Sequence, residues 1–319
     1  MPEKIGKVTL DDTCYSGTDL YSEGAVEQEL LEIAKNCTSE EDYNAVIAEK
    51  GSWSVLYHFS HVRHNLLSWI PFTRKDKVLE IGSGCGAVTG AFAAKAGSVT
   101  CIELSRQRSL VNAWRNRDLD HIRILLGAFE EVEKQLTEQY DYITFIGVLE
   151  YAASYTDNKD PYAYMLRAAM RHLAPGGKIV VAIENRLGLK YWAGCAEDHV
   201  GRLFEGLEGY PNTPESGART FSKAELEQLF ERAGDFKTSF YYPYPDYKLP
   251  FYIYSDKYLP RKGELKMNLN NYDQGRVLLF DESRVFDSLI DNGLFPQFSN
   301  SFLVFLERRN GEATAADEQ

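Results

Sequence analysis

Between residues 78 and 87 the chain reads Val-Leu-Glu-Ile-Gly-Ser-Gly-Cys-Gly-Ala, with glycine at every second position from 82 to 86. Few folds can accommodate that. The pentad Lys77–Ile81 has the character of a short buried strand, and the spacing predicts a helix over 87–96. Glycine permits the sharp turn between them and the close approach of another molecule, because no Cβ stands in the way. The alternation then repeats. Ser98–Glu103 (SVTCIE) reads as a strand, and 105–116 as its helix. Ile122–Leu126 and 142–145 continue the series. The clearest strand, 178–183 (KIVVAI), follows the turn Pro175-Gly176-Gly177. Apolar strands separated by helices predict a parallel sheet covered on both faces.

Outside that series the signals are sparser. Val26, Leu30, Leu31, Ile33 and Ala34 recur at helical spacing, and a second helical stretch over 57–69 is stopped by Pro71. After Asn185 the rhythm breaks until Ser222, which is followed three residues later by Glu225 and so opens a helix over 222–233 with a capping box. Strands over 236–242 and 301–307 read as an antiparallel pair closing the sheet. The expected architecture is α/β, a Rossmann-like seven-stranded mostly parallel sheet with an antiparallel C-terminal strand pair. Residues 1–70 are expected as a helical N-terminal lid and 71–309 as the core. Insertions at 185–220 and 243–297 form a cap, and the polar tail 310–319 is expected to be disordered.

Charge and cysteine usage narrow the class. Lys and Arg number 35 against 47 Asp and Glu, a net charge of −12. Broad binding to a phosphate backbone needs the opposite balance, so nucleic acid is disfavoured as a partner. No apolar run approaches the roughly 20 residues that span a bilayer, and the first residues lack the apolar core of a signal peptide. Five cysteines without a CxxC pair read as free thiols of a reducing compartment. A cytoplasmic enzyme is the leading class.

Glu103 closes the second strand, 21 residues after Gly82. A carboxylate there can accept hydrogen bonds from ribose hydroxyls, so turn and acid together imply an adenosine-type nucleotide. Gly82, Gly84 and Ala87 also satisfy G-x-G-x-x-A, which keeps NAD in competition. At this point the chain resembles the class I S-adenosylmethionine-dependent methyltransferases, over about residues 55–240 plus the final strand. Glu80-x-Gly82-x-Gly84-x-Gly86 looks like their first motif, and Glu103 like their ribose-binding acid. Gly147-Val148-Leu149-Glu150-Tyr151 resembles their fourth motif, and Leu173-x-Pro175-Gly176-Gly177 is a further mark. The resemblance implies S-adenosyl-L-methionine as cofactor and S-adenosyl-L-homocysteine as product. It implies a site of Glu80, Gly82, Gly84, Gly86, Glu103, Leu104 and Gly147. Where many members place an Asp for the adenine, this chain has Gly127-Ala128-Phe129, so the Ala128 backbone and Phe129 ring are expected to serve it. A nicotinamide fold would continue with parallel strands, which disfavours NAD.

The stretch 78–105 looks like the rRNA adenine dimethyltransferases, which carry an Asn-Leu-Pro-Tyr type motif after the fourth strand. Here the position reads Phe145-Ile146-Gly147-Val148-Leu149-Glu150-Tyr151, without Pro. That form is more like methyltransferases of small molecules, sugars or lipids. The expected acceptor is a hydroxyl or amine of a small-molecule or sugar-containing compound. A nucleic-acid methyltransferase and a non-catalytic cofactor-binding module are the alternatives.

Acceptor residues should sit at the carboxyl ends of strands. Glu150 and Tyr151 are expected near the transfer site. The segment 184–199 is dense in polar and aromatic groups and resembles one in bacterial methyltransferases associated with surface-glycan synthesis. His199 is the candidate general base, or else a structural histidine. Glu184, Asn185, Tyr191 and Trp192 are expected to shape the pocket. Trp53, Tyr57, His58, His61, Arg63 and His64 form a second group, read either as a lid with Tyr57 and Arg63 near the cofactor carboxylate or as an ordinary helix. No converging ligands accompany those histidines, so no metal is expected. Residues 241–258 hold seven of the chain's 20 tyrosines. With three prolines they cannot be a helix. Tyr244 and Tyr247 are expected in the acceptor pocket, the alternatives being a homodimer contact or packing of the cap.

Overall fold

Lys77–Ile81 does form a strand that turns into a short helix, Thr89–Ala93, and the alternation after it forms as well. The computed structural model describes residues 2–19, 24–156, 158–268 and 275–309. It divides into two units, residues 1–145 with 168–179, and residues 146–167 with 180–319. The expectation for 310–319 lies outside the described residues.

In the first unit the strands are β1 (Glu3–Ile5), β2 (Val8–Asp11), β3 (Lys77–Ile81), β4 (Ser98–Glu103), β5 (Ile122–Leu126) and β6 (Tyr140–Ile146), in the order β1-β2-β5-β4-β3-β6. All neighbours from β2 to β6 are parallel, with Glu80 opposite Cys101 and Thr144. Continuous burial along β3 and β4 explains their uninterrupted apolar character. The pair β1 and β2 was not expected. Val8 and Leu10 are buried and Thr9 and Asp11 half-buried, a period of two hidden in a polar stretch. Gly6, at φ +59°, reverses the chain between them, and Leu10 pairs with Ile124.

The helix Ala25–Asn36 packs on the helix Arg106–Arg115, which Ser105 caps. Leu30, Leu31, Ile33 and Ala34 share one core with Val111 and with Cys85 of the glycine turn. The helix expected over 57–69 is broken. An α-helix Trp53–Phe59 ends at Ser60, whose hydroxyl caps a 3-10 turn His61–Leu66. His58 therefore does not share a helix face with His61 and His64.

In the second unit β7 (Leu173–Glu184, within this unit from Val180), β8 (Phe236–Tyr244), β9 (Tyr252–Ser255) and β10 (Ser301–Arg308) run in the order β7-β10-β8-β9. The expected C-terminal pair is antiparallel, Leu303 opposite Tyr241, and β9 adds a further antiparallel strand. Among the described residues ten strands form where seven were expected. The tyrosine-rich segment forms no helix: it supplies the end of β8 and, after a run of bends, β9. The helix Lys223–Ala233 has both halves of its capping box, Ser222 accepting from Glu225 N–H and Glu225 accepting from Ser222 N–H. No helix among the described residues is long and apolar enough to cross a membrane. All five cysteines are free thiols.

Candidate functional site

The first unit holds the glycine turn. Gly82, Gly84 and Gly86 all have positive φ, at +68°, +53° and +74°. The turn leaves β3 by donating the Gly82 and Ser83 N–H groups to Ile102 O, at 2.8 and 3.2 Å. Glu103, at the carboxyl end of β4, spans the turn: Oε2 accepts from Gly84 N–H at 2.7 Å and Oε1 from Ser105 N–H at 2.8 Å. Burial raises the Glu103 carboxyl, and these backbone donors oppose the rise.

Space and polar groups coincide here. A Cβ at Gly84 would meet nothing within 4 Å, and the Ser83 hydroxyl is buried beside it. Gly86 differs, since a Cβ there would lie 2.4 Å from Asn112 Oδ1. Glu80 points its Oε2 to Thr89 Oγ1 at 2.6 Å and to Cys101 Sγ at 3.5 Å, and burial pushes its carboxyl up to about 7. Leu104 is half-buried beside Glu103. Ala128 is the residue before the short helix Phe129–Val132, and the Phe129 ring lies 6.3 Å from Phe145. Arg63 is buried with its guanidinium 4.3 Å over the Tyr57 ring. Burial and neighbouring arginines push His58 down to about 3 and His64 to about 4, so both imidazoles are neutral.

The second unit brings Glu150, Glu184 and His199 together. Glu184 ends β7 and Glu150 lies four residues beyond β6, so each stands at or just past the carboxyl end of a strand. His199 Nε2 is 3.6 Å from Glu150 Oε1 and 3.9 Å from Glu184 Oε2. Its Nδ1 is 3.0 Å from Glu197 Oε1. Glu197 also accepts from the N–H groups of His199 and Val200, each at 2.8 Å, and from the Tyr210 hydroxyl at 3.2 Å. Burial alone would lower the His199 pKa. The surrounding carboxylates of Glu150, Glu184 and Glu197 outweigh it and hold the group well above its ordinary range.

An ionic network continues from Glu184. Lys248 bridges Glu184 and Asp198, and Lys190 bridges Asp198 and Asp246 at 2.8 Å each. Burial raises the Glu184 carboxyl and Lys248 opposes that rise. Asp198 is held far below the carboxylate range, the two ammonium groups overcoming its burial. Tyr191 is buried, its hydroxyl driven well up by burial and by Asp198 and Glu184. The Tyr151 ring meets the His199 ring edge-on at 5.4 Å between centroids. Tyr247 is buried, with its hydroxyl 2.7 Å from where a Gly147 Cβ would stand.

Three expected pocket residues are engaged otherwise. Asn185 donates to the carbonyls of Gln297 and Ser299, both at 2.8 Å, pinning the turn before β10. Trp192 is 44% exposed and donates to Leu187 O. Tyr244 is buried with its hydroxyl 3.0 Å from Asn268 Oδ1. Sequence reasoning noted Asp198 only as the neighbour of His199 and gave no role to Glu197, Lys190, Lys248 or Asp246. Asp198 adjoins His199, but nothing local marks Lys248, 50 residues further on, as its partner.

A family model described as a methyltransferase domain matches residues 79–179. Two curated proteins are similar over part of the chain. The ubiquinone biosynthesis O-methyltransferase of Hydrogenovibrio crunogenus is 24% identical over 139 residues, 43% of this chain and 55% of that protein. That of Idiomarina loihiensis is 31% identical over 120 residues, 36% of this chain and 45% of that protein. The chain thus spans about half the length of the curated relatives it matches. A SAM-dependent methyltransferase from Archaeoglobus fulgidus has a crystal structure that aligns with 83% of this chain and 100% of its own, at 14% identity and a TM-score of 0.47.

Proposed function

We propose, from the premise that the chain belongs to the class I S-adenosylmethionine-dependent methyltransferases, that it transfers a methyl group to a hydroxyl or amine of a small-molecule or sugar-containing acceptor. One observation carries the reading. The turn Gly82–Gly86 leaves open space at Gly84, beside a buried carboxylate at the end of β4 and the buried Ser83 hydroxyl. Those groups fit a ribose and an adjoining cationic amino-acid portion, which offer hydroxyls and an ammonium to such acceptors. Gly82, Gly84, Gly86, Glu103 and Leu104 would hold the cofactor, with Ala128, Phe129, Gly147, Tyr57 and Arg63 as further candidates. When bound, S-adenosylmethionine supplies an electrophilic methyl on a sulfonium.

The protein's share of such a reaction is to orient the acceptor and manage its proton. In the second unit His199 and Glu150 are the groups proposed for that, with Tyr151, Glu184, Tyr191 and Tyr247 around them. A raised pKa makes His199 a stronger base, but one that is unprotonated in fewer molecules at neutral pH. Turnover through His199 should therefore rise with pH above neutrality. Five free thiols accord with a reducing, cytoplasmic setting.

The test is calorimetric titration with S-adenosylmethionine and S-adenosylhomocysteine, with NAD as control, followed by a screen of metabolite acceptors. Micromolar binding of the first two and none of NAD is expected. Binding of NAD alone overturns the cofactor assignment. Cofactor binding with no product from any acceptor would favour a non-catalytic module.

A further inference from the structure

The cluster in the second unit gathers more carboxyl groups than ammonium groups. Glu150, Glu184, Glu197, Asp198 and Asp246 are linked through His199, Lys190 and Lys248. Five carboxyl groups share two ammonium groups and one imidazole. Glu150 is 1% exposed and Glu184 0%, and Oε2 of each makes no hydrogen bond. Carboxylate oxygens buried in this way are costly unless a cation meets them.

The geometry around those oxygens converges. One ligand atom each from Glu150, Glu184 and His199 lies within 4.8 Å of the other two. Ligands about 2.0–2.2 Å from a tetrahedral ion stand roughly 3.3–3.6 Å apart, so small side-chain shifts would close the set. The second nitrogen of His199 is already engaged with Glu197, itself fixed by two backbone N–H groups and Tyr210. This leaves Nε2 facing the two carboxylates, the arrangement by which a carboxylate orients a metal-binding imidazole.

We propose that Glu150, Glu184 and His199 bind a divalent transition-metal ion, with Glu197 positioning the imidazole. One imidazole and two carboxylates suit zinc, manganese or ferrous iron better than calcium, which takes a larger all-oxygen set. The rival occupant is a proton on Nε2, giving an imidazolium among the carboxylates. Three protein ligands leave coordination positions for an oxygen from outside. On the methyl-transfer reading that oxygen is the acceptor hydroxyl, whose ionisation the ion would favour, its proton passing to water; the ion then takes the place of His199 as the activator, since both imidazole nitrogens are engaged. This use rests on that reading, and the binding of the ion does not.

Protein stripped with a chelator and dialysed is titrated with zinc chloride and, separately, manganese chloride. Cobalt(II) loading is followed by visible absorption, and metal content by mass spectrometry. One ion per chain at micromolar affinity or tighter is expected, with a cobalt band and a rise in melting temperature that chelation reverses. Glu184→Gln and His199→Ala should each weaken binding by about 100-fold or more, and Glu197→Gln by about 10- to 100-fold. Absence of uptake at millimolar metal, or unchanged affinity in both ligand variants, overturns the site. Should those variants fail to fold, the wild-type stoichiometry and melting shift decide, and absence of both overturns it. Chelated protein that still binds S-adenosylmethionine but loses turnover until metal returns supports the use on the acceptor. Turnover indifferent to chelation overturns that use.

Discussion

Replacing Gly86 by Ala should damage the fold far more than replacing Gly84, although the two glycines lie in one turn. At Gly86 the new Cβ would stand 2.4 Å from Asn112 Oδ1, 2.6 Å from its Cγ and 3.1 Å from its Cα. Asn112 is fully buried and cannot swing aside freely. Its Nδ2 donates to Thr89 Oγ1 at 3.1 Å, its Oδ1 accepts from Asn116 Nδ2 at 2.8 Å, and Thr89 in turn donates to Glu80. A left-handed conformation costs a non-glycine residue about 1 kcal/mol, and overpacking a core adds roughly 1–3 kcal/mol. The expected loss for Gly86→Ala is therefore about 3 kcal/mol. At Gly84 only the conformational share applies, about 1 kcal/mol, because nothing lies within 4 Å. Urea unfolding followed by tryptophan fluorescence measures both. Calorimetry should find Gly84→Ala folded but weakened towards S-adenosylmethionine, since its Cβ occupies the open space. Asn112→Ala placed in the Gly86→Ala background should recover part of the loss, a coupling of about 1–2 kcal/mol in a double-mutant cycle. Equal losses for the two single variants, or no coupling with Asn112, would refute the argument that a pinned side chain walls one side of the turn.

Glu80→Gln tests the buried carboxyl, whose folded pKa of about 7 stands above its ordinary 4.5. The stability it confers is fully present below 4.5 and is lost as pH rises through about 7, a penalty of about 3 kcal/mol at 1.4 kcal/mol per pH unit. The glutamine variant cannot ionise, so its stability relative to wild type should improve by about 2–3 kcal/mol between pH 5 and pH 8; a constant difference would count against the assignment. His199→Ala should lower turnover by about 100-fold or more while leaving cofactor affinity unchanged, and unaltered turnover removes His199 from the mechanism. Ser222→Ala removes the side-chain half of the capping box and should cost about 1 kcal/mol in thermal or urea unfolding.

Much of this protein is written in local pattern. A strand, a turn of alternating glycines and a helix follow from residues 77–96 alone, because backbone freedom and hydrophobic period act over a few residues. The Ser222 and Glu225 capping box, the antiparallel closing strands and the place of Glu103 at a strand end follow in the same way. Where the sequence misleads, another local choice or a distant partner intervenes. Ser60 caps a new turn and divides what periodicity reads as one helix, and β1 and β2 become strands because β5 offers Leu10 an apolar neighbour at Ile124. The acidic cluster lies beyond local pattern altogether. Glu150, Glu184 and His199 stand out singly in the sequence, but nothing local shows that they meet, and Lys248 reads as an ordinary polar residue. The order of the strands decides that they meet, and burial decides what meeting means: it strips water from the charges, so a buried carboxyl must meet a cation, accept hydrogen bonds or keep its proton.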